Sequence, residues 1–162
     1  MKTKLYSLAK KVGMVLKNKK LFVATAESCT GGLLAASITD ISGSSAYFER
    51  GFVVYSNMAK KESLGVKRQT LEEFGAVSEE VAKEMAKGVL KRSHAQVSIA
   101  ITGIAGPTGG SKNKPKGMVC FALICKKEQP KTTTMYFKGS RGVVRMQAVK
   151  FALKWLLLTI QG

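Results

Sequence analysis

Leu21 to Gly32 reads LFVATAESCTGG, and the way this stretch folds decides the architecture of the chain. Leu21-Phe22-Val23-Ala24 has the length and composition of a buried strand. The chain then turns through Glu27-Ser28-Cys29 into Thr30-Gly31-Gly32. Leu33-Leu34-Ala35-Ala36-Ser37-Ile38 continues as a helix that is predicted to reach about Thr39. A strand that breaks sharply into a helix leaves backbone N–H groups unpaired at the turn. The helix dipole adds partial positive charge there, which suits an anion or a developing oxyanion. Gly31 and Gly32 let a ligand come close to the backbone. Ser28 then stands where a nucleophile would have to stand. A simpler reading of the same residues is a tight turn in which Ser or Thr caps the helix.

Composition narrows the alternatives. With 162 residues the chain has room for one domain with a full core, residues 1–162. A hydrophobic fraction of 45% is ordinary for a globular protein. No apolar stretch approaches the ~20 residues of a membrane span. The N-terminus carries lysines but no apolar signal-peptide core, so a cytoplasmic location is expected and no membrane partner. Cys29, Cys120 and Cys125 form no C-x-x-C, and His94 is the only histidine, so no metal site is expected. The formal charge of +17 raises the question of nucleic acid. Against it, the basic residues are scattered, with no run longer than two and no interleaved aromatic platforms. The charge is read instead as a basic surface that draws in small anions.

In chain order, Leu5, Leu8, Ala9, Val12, Val15 and Leu16 fall at helical spacing within residues 3 to 18. Asp40 to Ser45 is a loop of turn formers, in which Gly43, Ser44 and Ser45 could either simply connect or meet a ligand. Tyr47 to Tyr55 is read as a second strand with Phe52-Val53-Val54 as its buried centre. Asn57 is expected to cap a short helix from Met58 to Leu64, closed by Gly65. Thr70-Leu71-Glu72-Glu73 has capping-box spacing, and Ser78 begins a longer helix down to about Arg92. Gln96 to Thr102 is a third strand that runs into the glycine-rich loop Gly103 to Gly110. Gly117–Cys125 and Lys131–Phe137 are predicted to pair as a hairpin, and a last helix runs from about Val143 to Leu158. Strands alternating with helices, followed by a hairpin and a closing helix, give an α/β fold class: a single three-layer α/β/α domain with a mixed sheet. Ser28, Tyr55 and Thr102 each fall at the carboxyl end of a strand, where ligands sit in open α/β sheets.

A serine nucleophile needs a base, and no His/Asp pair is at hand. The remaining base is a lysine kept neutral by burial or neighbouring charge. Lys60 lies one helical turn past the second strand and is the candidate, with the Tyr55 phenol placed between serine and lysine as a proton relay. Cys29 could act as a thiol nucleophile, but nothing nearby would activate it, and a small turn residue is the preferred reading.

Five stretches extend the argument: TAESCTGG at 25–32, GSSAYFERGFVVYSNMAK at 43–60, GAVSEEVA at 75–82, TGIAGPTGG at 102–110 and GSRGVVR at 139–145. In this order, and over nearly the whole chain, they resemble the CinA C-terminal-domain family, the nicotinamide mononucleotide deamidases. The resemblance implies hydrolysis of the carboxamide of nicotinamide mononucleotide to nicotinic acid mononucleotide and ammonia. It implies Ser28 as nucleophile, Tyr55 and Lys60 as the pair that tunes and takes its proton, and Thr102 near the reacting amide. It also implies Arg141, with Arg145 as second choice, to hold the substrate. No cofactor or metal is implied, the partner is a small pyridine nucleotide, and a homodimer is expected. Backbone groups of Cys29, Thr30 and Gly31 could hold the oxyanion. Gly43, Ser44, Ser45, Asn57, Gly103 and Gly106 could approach ribose or phosphate. Ser140 stands where relatives often have Asp. A non-catalytic nucleotide-binding module of the same fold is the competing expectation.

Overall fold

The computed structural model describes residues 2–162. Its elements are α1 (Lys2–Asn18), β1 (Val23–Glu27), α2 (Leu33–Thr39), β2 (Phe48–Val53), α3 (Asn57–Leu64), α4 (Arg68–Phe74), α5 (Glu79–Lys91), β3 (Val97–Gly103), β4 (Met118–Cys125), β5 (Lys131–Tyr136) and α6 (Arg141–Gln161), with a 3₁₀ turn at Ser44–Ala46. The five strands form one sheet in the order β2-β1-β3-β4-β5. β1 runs parallel to both β2 and β3, whereas β3–β4 and β4–β5 are antiparallel. The sheet is therefore mixed, and helices cover both faces.

All five residues of β1 are buried, as a central parallel strand requires. On one face α1, α2 and α6 pack with Val23, Val97, Ile99, Ile101, Val119, Phe121 and Leu123 of the strands. On the other, α3, α4 and α5 pack with the alternate strand residues Ala24, Ala26, Ala100, Cys120 and Ala122. The period of two along the strands thus sorts side chains into two cores. The second core is lined by small strand residues, so α5 lies close to the sheet. α5 also lies close to α3. A Cβ at Gly88 would sit 2.1 Å from the Leu64 carbonyl oxygen.

Several boundaries differ from expectation. β1 begins at Val23 and extends through Glu27, because its pairing with β2 and β3 continues past the apolar run. β2 is shorter than expected and forms an edge. Phe52 is half-buried and Val53 is exposed, while Val54 is buried just beyond the strand. The cap of α3 is Ser56, whose hydroxyl accepts from Ala59 N–H at 3.0 Å; Asn57 is the first helical residue. α4 starts at Arg68 without a side-chain cap, so Thr70 lies inside it and makes no capping box. Ser78 does cap α5, accepting from Val81 N–H at 3.2 Å. α6 starts two residues earlier than expected, capped by Ser140.

The contact between Gly88 and Leu64 gives a direct test of this packing. Gly88→Ala is expected to lower the melting temperature by several degrees, since overpacking costs about 1–3 kcal/mol and ~1 kcal/mol shifts a domain of this size by about 2–4 °C. Gly142→Ala is the control, because a Cβ there meets nothing within 4 Å. It should leave the melting temperature unchanged or slightly raised.

Candidate active site

The carboxyl ends of β1, β2 and β3 open onto a cleft of about 290 Å³, at the lower end of small-molecule sites. Its walls carry Ser28 and Cys29 from the β1–α2 turn, Tyr55, Asn57 and Lys60 from the segment after β2, Thr102 to Gly106 from β3 and its loop, and Arg141 from the start of α6.

The turn from β1 into α2 is built by backbone constraint. Gly31 and Gly32 take φ of 59° and 102°, conformations that favour glycine. Ser28 N–H donates to Ile101 C=O on β3 at 2.9 Å, and Gly31 N–H returns to Ser28 C=O at 3.1 Å. Glu27, buried at the last position of β1, accepts from Leu34 N–H at 2.8 Å and from Ala35 N–H at 3.0 Å. The N-terminus of α2 is thus satisfied by a carboxylate of this chain, which corrects the expectation that this helix end is open to an anion or a developing oxyanion. The Gly31 amide is also spent within the turn. The N–H groups of Cys29 and Thr30 donate to no oxygen among the described residues.

Lys60 Nζ lies 2.9 Å from Ser28 Oγ, and it donates to the backbone carbonyl of Tyr55 at 3.0 Å. Side chains of a helix lean toward its N-terminus, so a lysine one turn into α3 reaches back over the cap to the carbonyl five residues earlier. Lys60 is only 2% exposed and faces no carboxylate among the described ion pairs. Burial, slightly opposed by the Cys29 sulfur, holds its pKa below the ordinary lysine value. The amine is therefore biased toward its neutral, basic form. Cys29 is a different case. Burial pushes its thiol up to about 12, so it stays protonated at neutral pH and is no nucleophile.

Tyr55 is not placed as a relay. The residue is 60% exposed, and its phenol oxygen accepts from Arg141 Nη2 at 2.9 Å. Ser28 and Lys60 meet directly, and Tyr55 contributes its carbonyl, 3.0 Å from the amine. Arg141 also donates through Nη1 to Gly106 C=O at 2.8 Å, linking the start of α6 to the glycine loop across the mouth of the cleft. Thr102 lines the cleft, with its hydroxyl proton committed to Ala76 C=O at 2.8 Å.

Other expected ligand groups lie elsewhere. The Gly43-Ser44-Ser45 loop is at the opposite end of the sheet. It leads into Phe48, the partner of Val23 at the start of β1, and Val23 N–H donates to Tyr47 C=O at 2.8 Å. A helix between two parallel strands must carry the chain back to their starting edge, so this loop cannot reach Ser28. Thr30, Gly31 and Arg145 do not line the cleft. Arg145 stands behind the turn instead. Its Nε donates to Cys29 C=O and its Nη2 to Thr30 C=O, both at 3.1 Å. Glu27 was not expected to shape the site. The signal for it is a lone acidic residue one step before a serine at a strand–helix turn. Among the described residues no three metal-ligating side chains stand together, and no helix is long and apolar enough to cross a membrane.

Fold and site together describe a three-layer α/β domain with a buried serine–lysine pair at the carboxyl edge of its sheet. The sequence model described as the CinA C-terminal domain matches residues 5–160, and the chain belongs to that family. The nicotinamide-nucleotide amidohydrolase PncC of Enterobacter agglomerans is 52% identical over 154 residues, covering 95% of this chain and 94% of that protein. A CinA-like protein of Chlorobium phaeobacteroides (strain BS1) is 50% identical over 91% of this chain, which corresponds to 36% of that longer protein. Among solved structures, the competence/damage inducible protein CihA from Agrobacterium tumefaciens superposes with a TM-score of 0.94 at 43% identity, covering 98% of this chain and 96% of that one.

The buried amine has a measurable consequence for stability. Between the depressed folded pKa of Lys60 and the unfolded value of about 10.4, the unfolded chain holds the extra proton, so stability rises with pH across that window. Lys60→Met removes this titration. At pH 7 the variant should melt at or above the wild-type temperature, and its advantage should shrink as pH climbs toward about 10.4. Melting curves of both proteins at stepped pH check this.

Proposed function

We propose that this protein is a serine amidase that hydrolyses the carboxamide of nicotinamide mononucleotide, giving nicotinic acid mononucleotide and ammonia. The observation that carries the reading is the direct contact of Ser28 Oγ with an amine that burial holds basic. A module that merely bound nucleotides would gain nothing from burying an unpaired lysine, which is costly. A relative matched over 95% of this chain is named a nicotinamide-nucleotide amidohydrolase, which supports this choice of substrate.

In the proposed reaction the Tyr55 carbonyl holds one N–H of neutral Lys60, which leaves the amine lone pair facing Ser28. Ser28 Oγ attacks the carboxamide carbon while Lys60 takes the hydroxyl proton. The carbonyl oxygen becomes an oxyanion beside the N–H of Cys29, which lines the cleft. Lys60 then gives its proton to the departing nitrogen, the C–N bond breaks, and ammonia leaves behind an ester on Ser28. Water attacks that ester with Lys60 again as base, releasing the carboxylate and restoring the serine. Arg141 provides a cation at the mouth for the phosphate, Tyr55 an exposed ring beside it, and Asn57, Gly103 and Gly106 polar and backbone surface along the wall. Thr102 holds the Ala76 segment against the reacting centre. The positive surface of the chain favours an anionic substrate.

Ammonia release from nicotinamide mononucleotide tests the reading. Ser28→Ala and Lys60→Ala are each expected to lower turnover by on the order of 10³-fold or more, as losses within a nucleophile–base unit do. Because the two act as one unit, the double variant should be little worse than either single one. Undiminished turnover in Ser28→Ala would refute the nucleophile. A wild-type protein that binds the nucleotide without releasing ammonia would favour the binding module, with nucleotide-induced thermal stabilisation as its sign.

A further inference from the structure

Arg145 is the charged group near the reacting centre that the mechanism above leaves unused. It projects from α6 one turn after Arg141, yet it lines no part of the cleft. Its guanidinium bonds two successive carbonyls, those of Cys29 and Thr30, and it has no carboxylate partner among the described residues. A planar fork that engages two consecutive carbonyls fixes two consecutive peptide planes.

The direction of those planes matters. In a trans peptide the N–H points opposite to its C=O. The N–H groups of Thr30 and Gly31 are therefore turned away from Arg145. That of Gly31 closes the turn onto Ser28 C=O. That of Thr30 has no acceptor, and the buried Thr30 hydroxyl is also without a partner among the described residues. Meanwhile Glu27 occupies the Leu34 and Ala35 amides of the helix end. The turn donor that remains at the cleft beside the nucleophile is thus the N–H of Cys29, because Thr30 is fully buried behind it.

We propose that Arg145 is a positioning residue for catalysis: by tethering the Cys29 and Thr30 carbonyls it fixes the turn that holds Ser28 and the cleft-lining Cys29 amide in place for attack. The inference rests on the serine amidase reading. It differs from a substrate-holding role for Arg145 in one respect that kinetics can see. An arginine that fixes the turn carrying the nucleophile acts on kcat, whereas one that grips the phosphate acts on KM and only for phosphorylated substrates.

The test compares wild type, Arg145→Lys and Arg145→Met on nicotinamide mononucleotide and on nicotinamide riboside, which lacks the phosphate. For Arg145→Met, kcat should fall on the order of 10- to 100-fold with KM changed less than about threefold, and by the same factor on both substrates. Arg145→Lys, which keeps the charge and loses the fork, should recover part of the loss. In parallel, diisopropyl fluorophosphate labelling of Ser28 is followed by mass spectrometry, with circular dichroism and melting curves to verify folding. Labelling should slow in both variants, since its transition state also places charge on an oxygen beside Ser28. A loss confined to KM and absent with the riboside would overturn the proposal, as would unchanged kcat and unchanged labelling in a folded variant. Should wild type release no ammonia from either substrate, the amidase reading fails, and the labelling rates still decide the role of Arg145.

Discussion

A lysine amine is buried against a serine hydroxyl with only a backbone carbonyl for further company, and the rest of the site is arranged around that contact. Burying an ammonium without a carboxylate is expensive, and burial holds the Lys60 pKa below the ordinary lysine value. That shift favours the neutral amine, the form in which a lysine is a base. An acidic residue near Lys60 would stabilise the charged form and remove this property. The nearest carboxylate in the motif, Glu27, is instead absorbed by two amides of α2. The basic character of the chain as a whole is compatible with the same requirement.

The topology explains how two residues 32 positions apart come to touch. β1 and β2 are parallel neighbours, so the turns that follow them lie side by side at one edge of the sheet. Ser28 leaves the first and Tyr55 the second. Val54 N–H donates to Glu27 C=O at 2.9 Å, which stitches the two exits together just before they diverge. α3 then starts at once, and the backward lean of its side chains returns Lys60 to the serine. β3 completes the platform by holding Ser28 N–H and by presenting Thr102 and the glycine loop. α6, the last element of the chain, reaches over from the other layer with Arg141 at the mouth and Arg145 behind the turn. One short segment is thereby gripped by groups from β3, α2 and α6, a degree of constraint suited to a preorganised site.

Much of this was legible in the sequence, for reasons that can be named. The strand–turn–helix at Leu21 to Ile38 announces itself through an apolar run, a glycine pair and a second apolar run. The alternation of elements then points to a three-layer sheet. The proximity of Ser28 and Lys60 follows from placing both just past parallel strands. What failed did so where function depends on direction rather than spacing. Tyr55 was expected to insert its phenol between serine and lysine, but sequence spacing does not say whether a residue offers its ring or its carbonyl. Gly43 to Ser45 have ligand-like composition, yet one helix separates them from the turn, and a helix between parallel strands returns the chain to the far edge. Arg145 could not be told from Arg141 by composition. They are four residues apart on one helix face, and only the depth of the turn beneath them assigns one to the cleft and the other to the backbone. Glu27 escaped notice because its partners are backbone amides, and only its place one step before the serine hints at them.

The most direct test of the account is the titration of Lys60 itself, followed through its ¹³Cε chemical shift by NMR and set against the pH dependence of kcat/KM for nicotinamide mononucleotide. The account predicts a midpoint below the ordinary lysine value of about 10.4 that coincides with the acid limb of the rate profile. It further predicts that the limb disappears with the residual activity of Lys60→Met. A Lys60 that titrates at about 10.4, or an acid limb that persists unchanged without it, would contradict the claim that burial makes this amine the base for Ser28.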